Sequence, residues 1–164
     1  MSRADWSMTS TSGGYLGRYN LGLSYTPQGR HHFGFSWAYT PDQLMGPIRQ
    51  LNLSYVYSPW RIERDEWVLR PLEAGVVLTS TSRKEYFISS PGKYDDDNYY
   101  DVTKIRGGLT LGFSVGRKLD EGRVLSVGWF MTILEQGLLS ASNNGWSQAL
   151  ENFISSGFGL KLDF

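Results

Sequence analysis

The segment Ser155 to Phe164 (SSGFGLKLDF) alternates without a break. Phe158, Leu160, Leu162 and Phe164 fall on one face, and Ser155, Gly157, Gly159, Lys161 and Asp163 on the other. A period of two over this length specifies a β-strand with one apolar face, because successive side chains leave opposite sides of the strand. Such a strand needs partners, and the rest of the chain supplies them.

Six further segments alternate in the same way. In 15–26, Tyr15, Tyr19, Leu21, Leu23 and Tyr25 oppose Arg18, Asn20, Gly22 and Ser24. In 31–40, Phe33, Phe35, Trp37 and Tyr39 oppose His32, Gly34, Ser36 and Ala38, and in 49–58, Leu51, Leu53, Tyr55 and Tyr57 oppose Gln50, Asn52, Ser54 and Val56. Segment 67–79 sets Leu72, Ala74, Val76 and Leu78 against Glu73, Gly75, Val77 and Thr79. Segment 104–117 sets Ile105, Leu109, Leu111, Phe113 and Val115 against Arg106, Gly108, Thr110, Gly112 and Ser114. Segment 123–134 sets Leu125, Val127, Trp129, Met131 and Ile133 against Ser126, Gly128 and Thr132. The weakest pattern, Trp6 and Met8 against Asp5, Ser7 and Thr9 in 4–10, makes an eighth strand.

The connections alternate in length. Pro27–Arg30, Ser58–Glu66 and Lys118–Gly122 are short, while Ser80–Lys104 and Glu135–Glu151 are the longest in the chain. That is the pattern of an up-and-down barrel with turns at one end and loops at the other.

The polar face decides which side of the wall is inside. It is built mainly of Gly, Ser, Thr and Asn, whereas a wall facing water would carry Lys, Glu, Asp and Gln. The apolar face carries Leu, Phe, Tyr and Trp, more volume than an eight-stranded interior holds. The expected fold is therefore all-β: an eight-stranded antiparallel up-and-down transmembrane β-barrel, one domain over 1–164, apolar side outward. Six Trp, ten Tyr and eight Phe, with aromatics at both ends of strand 15–26 and a cluster at Tyr55, Tyr57 and Trp60, fit interfacial girdles. A soluble lipocalin-like carrier is the competing barrel.

Sixteen basic and sixteen acidic residues cancel, which argues against nucleic acid as a partner. Absence of cysteine excludes a disulfide framework and thiol chemistry. MSRADWSM has no apolar centre, so no secretory signal peptide is expected within this numbering; either the numbering is that of a mature or recombinant chain, or the membrane reading is wrong.

Inward charges must be paired. Arg18, Glu73, Arg106 and Lys161 are therefore expected to form a lumen charge cluster, with Glu73 bridging one or more of the bases. Gly112-Phe113-Ser114-Val115-Gly116 matches G-x-S-x-G, but it lies mid-strand, and both histidines precede it, so it is read as a chance match. His31 and His32 flank a turn and point to opposite faces, which argues against one metal held by both.

The loop KYDDDNYYD places Asp95, Asp96, Asp97 and Asp101 together as a candidate for a divalent cation or a partner, although the every-second-residue spacing of a Ca²⁺ loop is missing. Trp146, Leu150 and Phe153 sit at helical spacing in WSQALENF. No catalytic residue, confident metal site or cofactor is assigned.

The spacing Gly157-x-x-Leu160-x-Leu162-x-Phe164 resembles the terminal-strand signal read by the barrel assembly machinery. With strand count and turn pattern, the whole chain resembles the small eight-stranded bacterial outer-membrane proteins, among them the lipid A palmitoyltransferase and deacylase barrels. The palmitoyltransferase likeness rests on size and on the Ser58–Glu66 turn. The resemblance implies an outer-membrane location and contact with lipopolysaccharide. The departures from those families weaken an enzymatic reading: no His lies in an expected outer loop, Asp42 lacks its following Ser, and the late-chain His and Ser of the deacylases are missing. The expected function is that of a structural or interaction barrel whose outer loops bind an envelope protein or surface glycolipid. A lipid A or phospholipid-modifying enzyme is the alternative.

Overall fold

The computed structural model describes residues 5–41, 47–82, 105–135, 138 and 154–164. The strands are β1 (Asp5–Gly13), β2 (Tyr19–Thr26), β3 (His31–Thr40), β4 (Ile48–Tyr57), β5 (Ile62–Arg64), β6 (Trp67–Thr81), β7 (Ile105–Lys118), β8 (Val124–Leu134) and β9 (Ile154–Asp163). Consecutive strands pair antiparallel except β4 and β5, and two further ladders close the sheet. One joins β1 to β9, with Ser7 opposite Asp163; the other joins β4 to β6, with Leu53 opposite Leu78. Eight strands form the wall. The ninth, β5, is a three-residue piece that pairs only with Trp67–Leu69 at the foot of β6. The segment expected as a plain turn over 58–66 thus contains a small hairpin, turned at Asp65 with φ 52°.

The weak first strand is real and runs farther than its pattern announced, from Asp5 to Gly13. Two of the three described 3₁₀ turns are built alike. Pro27-Gln28-Gly29 and Asp120-Glu121-Gly122 each place two successive residues at positive φ, and Gly at the second takes that conformation without a Cβ clash.

The wall is apolar outside and polar inside. Leu21, Leu53 and Phe158 are 63 %, 54 % and 66 % exposed on the outer surface, while Ser7, Asn52, Thr79, Ser126 and Thr132 are buried in the lumen. Trp6, Tyr25, Tyr57, Trp60 and Trp67 ring the end that carries the turns. There Trp6 packs on Tyr25 at 5.2 Å, and the outward His31 packs on Tyr57 at 5.1 Å while hydrogen-bonding the Tyr55 hydroxyl at 2.9 Å.

Some lumen positions admit no side chain. A Cβ at Gly157 would lie 2.6 Å from Cζ of Phe130, an aromatic that points inward on β8. This glycine of the terminal-strand pattern therefore has a packing role of its own.

Beyond the wall, the β5–β6 hairpin is tied to the β7–β8 turn by charges. Glu66 pairs with Arg117 at 2.7 Å, and Glu63 with Lys118 at 2.7 Å. The Lys118 hydrogen bond holds the Glu63 carboxyl below the usual carboxylate range. A depressed carboxylate stabilises the fold above its unfolded pKa and loses that contribution as pH falls through the folded value. Both partners of the Glu66–Arg117 pair are more than half exposed. Glu66→Gln is therefore expected to change unfolding free energy by less than about 1 kcal/mol in urea titration.

Candidate functional site

The lumen is closed near the turn end by a charged floor. At its centre is Asp163 on β9. Its Oδ1 accepts from the Ser7 hydroxyl at 2.7 Å and pairs with Lys161 Nζ at 3.2 Å, and its Oδ2 pairs with Arg70 Nη2 at 3.2 Å. Arg70 is 1 % exposed and also reaches Ser126 Oγ at 3.5 Å. Lys161 donates to His32 Nδ1 at 3.1 Å, and the same nitrogen lies 2.9 Å from Thr26 Oγ1. Five of the barrel's eight staves, β1, β3, β6, β8 and β9, thus meet through these side chains, with β2 joining through Thr26. One carboxylate serves two bases and also accepts from the Ser7 hydroxyl, in keeping with the rule that buried charges be paired.

Arg70 reaches this floor because of a bulge. Along β6, Arg70 faces Ser114 of β7, but Glu73 faces Gly112, so three steps on one strand match two on the other. The extra residue falls at Pro71-Leu72, where a missing N–H costs no ladder bond. It reverses the alternation: Val68 and Arg70 point inward below it, and Glu73, Gly75, Val77 and Thr79 above it.

The expected cluster of Arg18, Glu73, Arg106 and Lys161 does not assemble as one group. Arg18 is exposed beside the β1–β2 connection, with its guanidinium 5.9 Å from the Tyr19 ring centre. It precedes the first residue of β2, so the alternation does not extend to it. Arg106 sits near the loop end and pairs with Glu135 at 3.1 Å. It is six residues along β7 from the partner of Glu73, about 20 Å at roughly 3.3 Å per residue. Glu73 makes no ion pair with any described base; it lines the lumen cavity, as does Lys161. Of the four, only Lys161 belongs to the floor.

Sequence reasoning missed Arg70 and Asp163. Asp163 carried a signal, since the alternation placed it beside Lys161; Arg70 carried none, because the phase of 72–79 extrapolates it to the outer face. Asp95, Asp96, Asp97 and Asp101 lie outside the described residues, as does the 146–153 stretch. Ser114 of the G-x-S-x-G match lies within β7 and faces the lumen, where its hydroxyl makes no hydrogen bond to any described residue.

At the loop end, the Gly14–Leu16 turn folds over the lumen. Gln50 Nε2 donates to the Tyr15 carbonyl and Asn52 Nδ2 to the Leu16 carbonyl, each at 3.2 Å. Between this roof and the floor lies a cavity of about 210 Å³.

An apolar outer surface, a polar lumen with a charged floor, and eight antiparallel staves closed without an edge define the class: a β-barrel of the outer-membrane type, its outer surface solvated by lipid. No family model matches the chain, and no curated protein sequence matches it. Among solved structures, the fold is similar to the N-terminal β-barrel domain of Pseudomonas aeruginosa OprF, with TM-score 0.51, 10 % identity and full coverage of both chains. The outer membrane enzyme PagL aligns over 98 % of this chain and 99 % of its own, at TM-score 0.45 and 13 % identity.

Proposed function

We propose that this protein is a non-enzymatic outer-membrane barrel, a scaffold whose outer loops bind an envelope protein or surface glycolipid. The observation that carries this reading is the charged floor. Arg70, Lys161 and Asp163 block the lumen where a pore would have to open, and an eight-stranded barrel has little room to spare. The two histidines add support. His31 is committed to Tyr55 on the outer wall and His32 to Lys161 inside it, both toward the turn end and away from the outer loops.

In planar lipid bilayers the reconstituted protein is expected to add no steady ion current to that of the bare membrane. A reproducible open-channel step would replace the scaffold with a porin.

The enzymatic alternative is tested by incubating the folded protein with lipopolysaccharide and phospholipid, then weighing lipid A by mass spectrometry. Unchanged lipid A is the expected result, and a gained or lost acyl chain would sink the scaffold reading. Site-specific crosslinking from loop 83–104 in intact cells is expected to trap an envelope protein or glycolipid, and shortening that loop should abolish the adduct.

A further inference from the structure

The floor leaves one buried ring nitrogen, Nε2 of His32, without a hydrogen-bond partner among the described residues. Lys161, paired with Asp163, has only protons to offer, and it meets His32 at Nδ1. Nδ1, whose single lone pair faces the Lys161 ammonium, is therefore the acceptor, and the neutral ring carries its proton on Nε2. Nε2 is buried and has no partner among the described residues. His32 lines the cavity of about 210 Å³ between floor and roof.

Three more groups on the same cavity share this condition. Asn20 Oδ1, Ser24 Oγ and Ser114 Oγ are buried and unpartnered among the described residues, and all three side chains line the cavity. Asn20 spends one of its two amide hydrogens on Thr11, and its Oδ1 stands as an acceptor. His32 presents only a donor, and the serines present either. A buried polar group without a partner costs about 1–3 kcal/mol, so four around one cavity point to an occupant that bonds them.

Charge narrows the occupant. Arg70 and Lys161 are balanced by Asp163 and Glu73, so the lumen around this cavity carries no net charge to attract an anion or a cation. We infer that the chamber walled by Asn20, Ser24, His32 and Ser114 is a binding site for small uncharged hydrogen-bonding molecules, water or a solute of comparable chemistry. At roughly 30 Å³ each it holds about seven waters; a polyol or amide of a few heavy atoms fits the same space.

The test uses the whole barrel, folded in detergent with ¹⁵N-histidine. The His32 Nε2–H resonance is expected to show exchange cross-peaks to water. Glycerol and urea titrations separate the two sources. A saturable shift of that resonance assigns the site to a solute, and water cross-peaks unchanged by either compound assign it to water. Xenon provides the opposing result, because a dry chamber takes up xenon and a hydrated one does not. Xenon uptake with no Nε2–H contact to water or solute would overturn the inference. So would saturable displacement by acetate or ammonium, which would show that the site selects charge.

Discussion

Asp163→Ala is expected to destabilise the folded barrel by about 3–5 kcal/mol, the usual penalty for leaving buried charge without its partner. The carboxylate is the only anion in direct contact with Arg70 and Lys161 among the described residues. Its removal leaves two cations facing each other across a closed floor, and Ser7 loses its acceptor. Equilibrium urea unfolding in lipid bilayers, followed by tryptophan fluorescence, measures the change. Asp163→Asn keeps the shape and the Ser7 hydrogen bond but removes the charge, so most of the loss should persist. A loss below about 1 kcal/mol in Asp163→Ala, equal to that of Glu66→Gln, would mean that water replaces the carboxylate and that the floor is not a dry plug.

Deleting Leu72 should leave the floor intact, although it removes the bulge. One residue fewer between Arg70 and Glu73 gives two steps on β6 against two on β7, so β6 becomes regular while Arg70 still faces Ser114 and Glu73 still faces Gly112. Both side chains keep the lumen face, and we expect the deletion to retain the heat-modifiable mobility that marks a closed barrel on a detergent gel. Exchanging Leu69 and Arg70 does far more damage. It turns an arginine toward lipid, which costs up to about 2–4 kcal/mol by depth, and it orphans Asp163, so that variant should lose the mobility. Equal behaviour of the two variants would show that the face Arg70 occupies does not hold the floor together.

The contrast between these two sites shows what was legible in advance. Alternation is a local property, set by the direction in which each side chain leaves its own strand. Leu21, Leu53, Leu111 and Phe158 were therefore assigned to the outer face, and Asn20, Asn52, Thr110 and Gly159 to the lumen, from immediate neighbours alone. Trp6 and Met8, two apolar residues in a serine-rich stretch, sufficed for β1. The β5 hairpin was not legible, because SPWRIERDE has no period of two and its pairing with Trp67–Leu69 depends on the foot of β6 projecting beyond the wall.

The candidate site was legible only in part. His32 and Lys161 were placed on the inner face, but nothing local says that they touch, since they lie 129 residues apart. Glu73 was assigned to bridge the bases on the rule that inward charges pair. Strand register sets Arg106 about 20 Å along β7 from the partner of Glu73, and Lys161 is taken by Asp163.

Hydrophobic periodicity alone settled that this chain forms a closed wall, apolar outside and polar within, because each strand encodes its own two faces. Tertiary structure decided which charges share the floor, through a one-residue bulge that reverses a strand's phase and a closure that brings Asp163 to within 3.2 Å of Arg70. Phase is cumulative along a strand and register is set between strands, so neither can be read from any single segment.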